Sequence, residues 1–345
     1  MPALTLKDVA QRCGVSTATV SAVVNGAPWV SDLTRGRVQR AVDEMGYRPN
    51  QFARGLKTRR GYAVGVIVSD LTNPFFTEVV RSLGHALRED GWALFLCDSD
   101  HRFDLGDGNL RRLIDGHVVA LVLIGDSVRE ETVQRYIARK GHVPIVAIER
   151  DYDIEGVNRL LVDSEHGAHT ATRHLIAQGY RRIAMIGGPR QGAGSATYGR
   201  EQRYLGYRRA LADAGLKPDP KLLAEGNFRY AGGQEAMRRL LAGGQRPEAV
   251  FAANDMMAFG AVSVIHEAGL RVPDDIAVVG FDDVPSAALT SPGLTTIAMP
   301  KIDLGAAAAA IIGRHIAAPA RAETVRRTFG AELVVRQSSL RPIGR

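Results

Sequence analysis

Two groups of residues in this 345-residue chain have the types and spacing to do chemistry. The first is a run of small hydrogen-bonding side chains, Ser16, Thr17, Thr19, Ser21 and Asn25, interleaved with Ala18 and Ala22. Hydroxyls and an amide at this density can donate to phosphate oxygens or to the edges of bases. The second group follows short apolar runs: Ser69-Asp70, Asp98, Gly125-Asp126, Asn254-Asp255 and Asp282-Asp283. Carboxylates and amides at such places can share the hydroxyls of a small polar ligand, because open α/β sheets bind ligands at the carboxyl ends of their strands.

The first group needs helices to hold it. Leu6, Val9, Ala10 and Cys13 have helical spacing, as do Val20, Val23 and Val24, with Gly14 between them for a tight turn and Ser16 as N-cap. Asn25-Gly26 closes the second helix. A third, capped by Ser31, carries Leu33, Val38, Ala41, Val42 and Met45 on one face and ends at Gly46. Small Ala10 allows the close crossing of a helix-turn-helix, and the second helix then presents Thr17, Ala18 and Ala22 to a major groove.

Charge supports a polyanion as the partner of this segment. Residues 1–60 hold ten basic and four acidic side chains, a net +6, while the other 285 carry only +1 of the chain's total of +7. After Pro49 comes Asn50-Gln51-Phe52-Ala53-Arg54-Gly55-Leu56-Lys57-Thr58-Arg59-Arg60. This is either a flexible basic linker or a short helix that orders only on DNA, with Leu56 as an apolar wedge in the minor groove.

The second group needs strands. Apolar runs 63–68, 93–97, 118–124, 144–148, 183–186, 249–252 and 276–280 alternate with helical patterns over 76–89, 167–178, 199–214, 230–241, 255–268 and 304–317. That alternation predicts parallel sheets covered on both faces, too many units for one sheet, and so two doubly wound subdomains facing across a polar cleft. A strand is also expected over 331–335.

Other chemistries are poorly represented. Gly192-Ala193-Gly194-Ser195-Ala196-Thr197 lacks the third glycine of a dinucleotide fingerprint, and no phosphate-loop motif occurs. His166, His169 and His174 share a predicted helix without cysteine ligands or an HExxH pattern. Only Cys13 and Cys97 are present, so no disulfide framework can be built. No cofactor or metal is expected, and the charged N-terminus and interrupted apolar runs lead to the expectation of a cytoplasmic protein.

The motifs Lys7-Asp8-Val9-Ala10, Val15 to Ser21, Val24-Asn25-Gly26, Gly46 to Asn50 and Ala53 to Leu56 resemble the headpiece and hinge of the lactose-repressor (LacI/GalR) family of bacterial transcription regulators. Asn73-Pro74-Phe75-Phe76, Gly179 to Ala184, Gly187-Gly188-Pro189, Arg203 with Gly206-Tyr207, Ala252 to Ala258, Gly280 to Asp283 and Leu294 to Ile297 extend the resemblance through an effector core similar to periplasmic sugar-binding proteins. It implies base reading by Thr17, Ala18 and Ala22, hinge contacts from Asn50, Ala53, Arg54, Leu56 and Lys57, and effector contacts at Phe75 or Phe76, Arg203, Phe228, Asn254 and Asp282. It implies a homodimer on a pseudo-palindromic operator, with a sugar-like or purine-like effector.

The expected architecture is α/β: a three-helix headpiece (1–48), a hinge (49–60), and two periplasmic-binding-protein-like (type I) subdomains, 61–161 plus 292–325 and 162–291 plus 326–345. Three departures stand out: Ala22, which can touch a thymine methyl but cannot donate to guanine; a glycine-broken connection over 104–112 in place of a helix; and Glu149-Arg150 where an Asp is common. A sugar-binding transport component leaves the basic head unexplained, and an α/β enzyme lacks a recognisable nucleophile–base motif.

Overall fold

The computed structural model describes residues 4–47, 63–140, 143–188, 198–319 and 322–341. The chain forms two compact units, Met1–Tyr62 and Ala63–Arg345.

The first unit holds α1 (Leu6–Cys13), α2 (Thr17–Val24) and α3 (Asp32–Met45). Each start is capped by a hydroxyl. Thr5 accepts from Asp8 N while Asp8 answers to the Thr5 backbone, and Ser16 and Ser31 accept from Thr19 N and Thr34 N. Gly14 and Gly46 close α1 and α3 in the left-handed conformation, which only glycine adopts without strain. Val9, Ala10, Cys13, Val20, Val23, Val38, Ala41, Val42 and Tyr47 form the core.

The second unit has two lobes. The N-terminal lobe is a six-stranded parallel sheet built from β1 (Ala63–Val68), β2 (Ala93–Asp98), β3 (Ala120–Ile124), β4 (Ile145–Ile148) and β5 (Val157–Val162), with Arg326–Phe329 added beside β5. Helices α4 (Pro74–Glu89), α5 (Phe103–Asp115) and α6 (Glu130–Lys140) connect them. The C-terminal lobe contains α7 (Ser164–Ala177), β6 (Ile183–Gly187), α8 (Tyr198–Asp213), β7 (Leu223–Glu225), α9 (Tyr230–Ala242), β8 (Ala249–Ala252), α10 (Asp255–Glu267) and β9 (Ala277–Val279), its parallel strands ordered β7-β6-β8-β9. Then come β10 (Thr296–Ala298), α11 (Lys301–Ala317), β11 (Arg326–Phe329) and β12 (Glu332–Val334). The continuous burial of β1, β3, β4 and β8 is what parallel strands covered on both faces require.

The lobe boundaries differ from the expected ones. The segment around β10 bridges to the end of β9, at Val279 with Thr295 and Asp282 with Ala298, so residues 295–298 belong with the C-terminal lobe. β11 pairs with β5 in the N-terminal lobe, and β12 returns to pair with β10. These pieces are three or four residues long, and β11 has three of its four residues exposed, so neither carries an apolar pattern that marks a sheet. The connection expected to be broken over 104–112 is the thirteen-residue helix α5. Gly106 serves packing there, since a Cβ at that position would run into the Ser127 carbonyl. Helix α11 packs closely on α4: a Cβ on Gly305 would stand 2.6 Å from Leu83 N.

Candidate functional site

In the N-terminal unit, α2 begins with Thr17 and Ala18 exposed, beside Ser16. Ser16 Oγ lies 2.9 Å from Thr19 Oγ1, and Asn25 Nδ2 donates to Ser21 Oγ at 3.2 Å. These local bonds fix rotamers and leave the outer surface of α2 open for donors to meet a polyanion. Ala22 lies one helical turn beyond Ala18. It is 8% exposed and part of the core with Val20 and Val23, and its carbonyl accepts from Ala27 N at 2.9 Å. The reading of Ala22 as a base contact is carried by the resemblance alone, and only a little of its surface is open. Leu33, expected in this core, is exposed, as is Trp29 at 72%. Asn50, Ala53, Arg54, Leu56 and Lys57 lie outside the described residues.

In the second unit, the carboxyl ends of the two sheets face each other around Arg203 of α8. Arg203 Nη1 donates to Ala253 O at 2.6 Å, and its guanidinium lies 4.0 Å from the centre of the Phe281 ring. Nη2 is 3.7 Å from Glu149 Oε2, which follows β4, and 4.0 Å from Asp282 Oδ1, which follows β9. Thus one buried cation stands between two buried carboxylates from opposite lobes. Glu149 Oε1 accepts from Val162 N at 2.7 Å, while Oε2 has no hydrogen-bond partner among the described residues.

Burial pushes the Glu149 carboxyl up to about 7, with Arg203 pulling it back. Burial likewise raises Asp282 to about 6, opposed by Arg203, by Lys301 and by the Asn73 side chain. Arg150, next to Glu149, is neutralised elsewhere: its Nη1 donates to Asp126 at 2.6 Å and its plane lies over Tyr152. The cleft therefore offers one cation, two acceptors and an aromatic face, a set that can hold vicinal hydroxyls in fixed directions.

The remaining expected residues sit close by. Asn254 caps α10 through Oδ1, which accepts from Met257 N at 2.9 Å, and its Nδ2 donates to Phe228 O at 2.8 Å. Both polar ends are used, so Asn254 orients Phe228, itself in the left-handed region at φ 63°. Phe75 and Phe76 pack edge to face, 5.2 Å apart, and the Phe76 ring borders Gly125 at the end of β3. The ion pair of Arg229 with Asp70 and Asp100 crosses the cleft mouth, where His101 stacks on Phe228.

Comparisons with known proteins identify the family. Residues 5–50 match bacterial regulatory proteins of the lacI family, and residues 172–339 match the periplasmic binding protein-like domain. The chain is 37% identical over 323 residues to the ribose operon repressor of Escherichia coli (strain K12), covering 91% of this chain and 94% of that protein. It is 35% identical over 314 residues to the HTH-type transcriptional repressor PurR of Aliivibrio fischeri (strain MJ11), covering 90% and 91%. The chain belongs to the lacI family of bacterial regulatory proteins.

Among solved structures of lacI-family regulators, the Lac repressor dimer bound to operator and the anti-inducer ONPF superposes with a TM-score of 0.83 at 27% identity, covering 98% of this chain and 99% of that one. The transcriptional regulator CelR–cellobiose complex gives 0.72 at 34% identity, covering 97% and 99%. Beside Arg203, Asp282 and Phe228, which the sequence reading singled out, the structure places Glu149, Arg229, Asn73 and Lys301, which it did not single out as site residues. Glu149 stood out only as a departure at a strand end. The other three carry no distinguishing pattern, since their partners are 159, 209 and 19 positions away.

The histidines of α7 are bound separately, His169 to Asp213 at 2.7 Å and His174 to Ser339 at 2.8 Å. No helix among the described residues is long and apolar enough to cross a membrane.

Proposed function

We propose that this chain is a dimeric, cytoplasmic repressor that binds a pseudo-palindromic operator and releases or grips it according to a neutral, polyhydroxylated, sugar-like effector held between the lobes. The observation that carries the effector class is Arg203 between Glu149 and Asp282 at 3.7 and 4.0 Å. Two carboxylates against one guanidinium disfavour a phosphate, whose charge they repel, and favour hydroxyls, which donate to carboxylates and accept from Arg203. Glu149 Oε2, left without a hydrogen-bond partner among the described residues, supplies an acceptor that one hydroxyl satisfies. Phe228 adds a face for the apolar side of a sugar ring.

On the DNA side, α2 enters the major groove with Thr17 and Ala18 at base edges and Ser16, Thr19, Ser21 and Asn25 at phosphates or neighbouring edges. Asn50, Ala53, Arg54, Leu56 and Lys57 contact the operator in this reading, with Leu56 as an apolar wedge in its minor groove. An effector shifts the lobes only by binding one arrangement more tightly than the other; a hundredfold preference corresponds to roughly 2.7 kcal/mol per site.

The test is calorimetric titration of the purified full chain with neutral pentoses and hexoses, sugar phosphates and purine bases. A neutral sugar binding stoichiometrically, and lost in Asp282→Ala, supports the proposal. Binding of a purine base alone, or of a sugar phosphate alone, overturns the effector class.

A further inference from the structure

The Asp282–Asp283 turn is unusual in its backbone. Both residues have positive φ, 117° and 49°, and neither is glycine, a conformation that persists only where the surroundings enforce it. The enforcing group is Lys301, the first residue of α11. Its Nζ donates to Asp282 O at 2.6 Å and to Asp283 O at 2.7 Å, and the same ammonium lies 3.3 Å from Glu78 Oε2 on α4. Two backbone carbonyls accept from the ammonium and the Glu78 carboxylate lies beside it as an ion-pair partner, and only 12% of the lysine side chain is exposed. The Glu78 Oε2 atom is itself buried.

A second link joins the same elements. Asn73 caps α4 through Oδ1, which accepts from Phe75 N at 3.0 Å, and its side chain faces the Asp282 carboxylate, favouring its ionised form. The turn is braced from behind as well, with Val284 N donating to Asp255 Oδ2 at 2.8 Å. Asp282 therefore meets α4 of the opposite lobe twice, through its carboxylate at Asn73 and through its carbonyl at Lys301 and Glu78.

We infer that Lys301 is a positioning residue for the effector site, holding the left-handed turn that aims the Asp282 carboxylate at Arg203 and Glu149 and making α4 respond to any movement of that turn. The inference rests on Asp282 being an effector contact. A ligand that draws on the Asp282 carboxylate competes with Asn73 for it, and Lys301 carries the resulting shift of the backbone to Glu78. The helix whose first turn carries Phe75 and Phe76 thus reports on events in the other lobe.

Hydrogen exchange on the ligand-free full chain tests this without knowledge of the effector. In Lys301→Met, the amides of Asp282 to Val284 and those of Phe75 to Glu78 are expected to exchange at least tenfold faster than in the unaltered chain, with α9 and α10 unchanged. Lys301→Arg, which keeps several donors on one cation, is expected to restore both segments. Glu78→Gln, a milder change should Lys301→Met fail to fold, is expected to speed exchange at Asp282 to Val284 from the far side of the link.

Faster exchange confined to α11, a uniform increase over the whole chain, or an unchanged turn in Glu78→Gln would overturn the coupling. If the coupling is present yet Asp282→Asn leaves binding of every sugar, sugar phosphate and purine unaltered, the effector reading of Asp282 falls while the link stands.

Discussion

Arg229, which follows β7 in the C-terminal lobe, places its Nε 3.3 Å from Oδ2 of Asp70 at the end of β1 in the N-terminal lobe. The same guanidinium pairs with Asp100, and Thr72 anchors the far oxygen of Asp70 at 2.6 and 2.8 Å. Buried Asp70 is held well below the usual carboxylate range: burial opposes this, but hydrogen bonds from His101 and Thr72 outweigh it. The pair thus straps the cleft mouth beside Phe228.

Arg229 is 39% exposed, so the strap adds little to folding, about 1 kcal/mol or less. Arg229→Met is therefore expected to lower the melting temperature by only about 2–4 °C, while an effector dissociates several-fold faster because the mouth opens more freely. Stopped-flow dissociation checks this. An unchanged off-rate means that the strap has no part in closure.

Glu149 and Asp282 set a pH dependence. Their folded values, about 7 and about 6, stand above the ordinary 4.5 and 3.8, so the folded state holds protons that the unfolded chain has already lost. Their contribution to stability is complete below about pH 4 and declines as pH rises to about 7. Glu149→Gln removes the upper part of that decline, and thermal unfolding between pH 5 and 8 should become flatter. Effector affinity moves the other way, rising as the two carboxylates ionise and become acceptors.

Gly106 faces the Ser127 carbonyl with no room for a methyl group. Gly106→Ala is expected to cost about 1–3 kcal/mol through displaced backbone. Chemical denaturation measures it; a loss within error of zero would mean that α5 shifts freely.

Ser16→Ala removes the acceptor of the Thr19 N–H, 3.0 Å away, and is expected to destabilise the headpiece by about 1 kcal/mol. Operator affinity should fall further than headpiece stability alone accounts for, since the hydroxyl is also a proposed DNA contact. Circular dichroism on the isolated step of headpiece melting and anisotropy on operator DNA separate the two losses.

The sequence revealed those parts of the molecule whose signals are local. Caps at Ser16 and Ser31, left-handed closure at Gly14 and Gly46, and the apolar blocks of β1, β3, β4 and β8 each lie within one short window. The positions of Arg203 and Asp282 came from motif resemblance. What stayed hidden is non-local: β11 is an edge strand with little buried surface, and its partner β5 lies far back in the chain. Lys301 and Arg229 look like ordinary surface cations until the lobes are assembled around them.

The most direct test of the central claim is anisotropy of the full chain on an operator selected from random-sequence DNA, titrated with the neutral sugars as a function of salt. The account predicts affinity that falls steeply with salt, as phosphate contacts release counterions, and that changes at least tenfold with one sugar but not in Asp282→Ala. Equal affinity for operator and random DNA, or an operator affinity that no sugar alters, would contradict it.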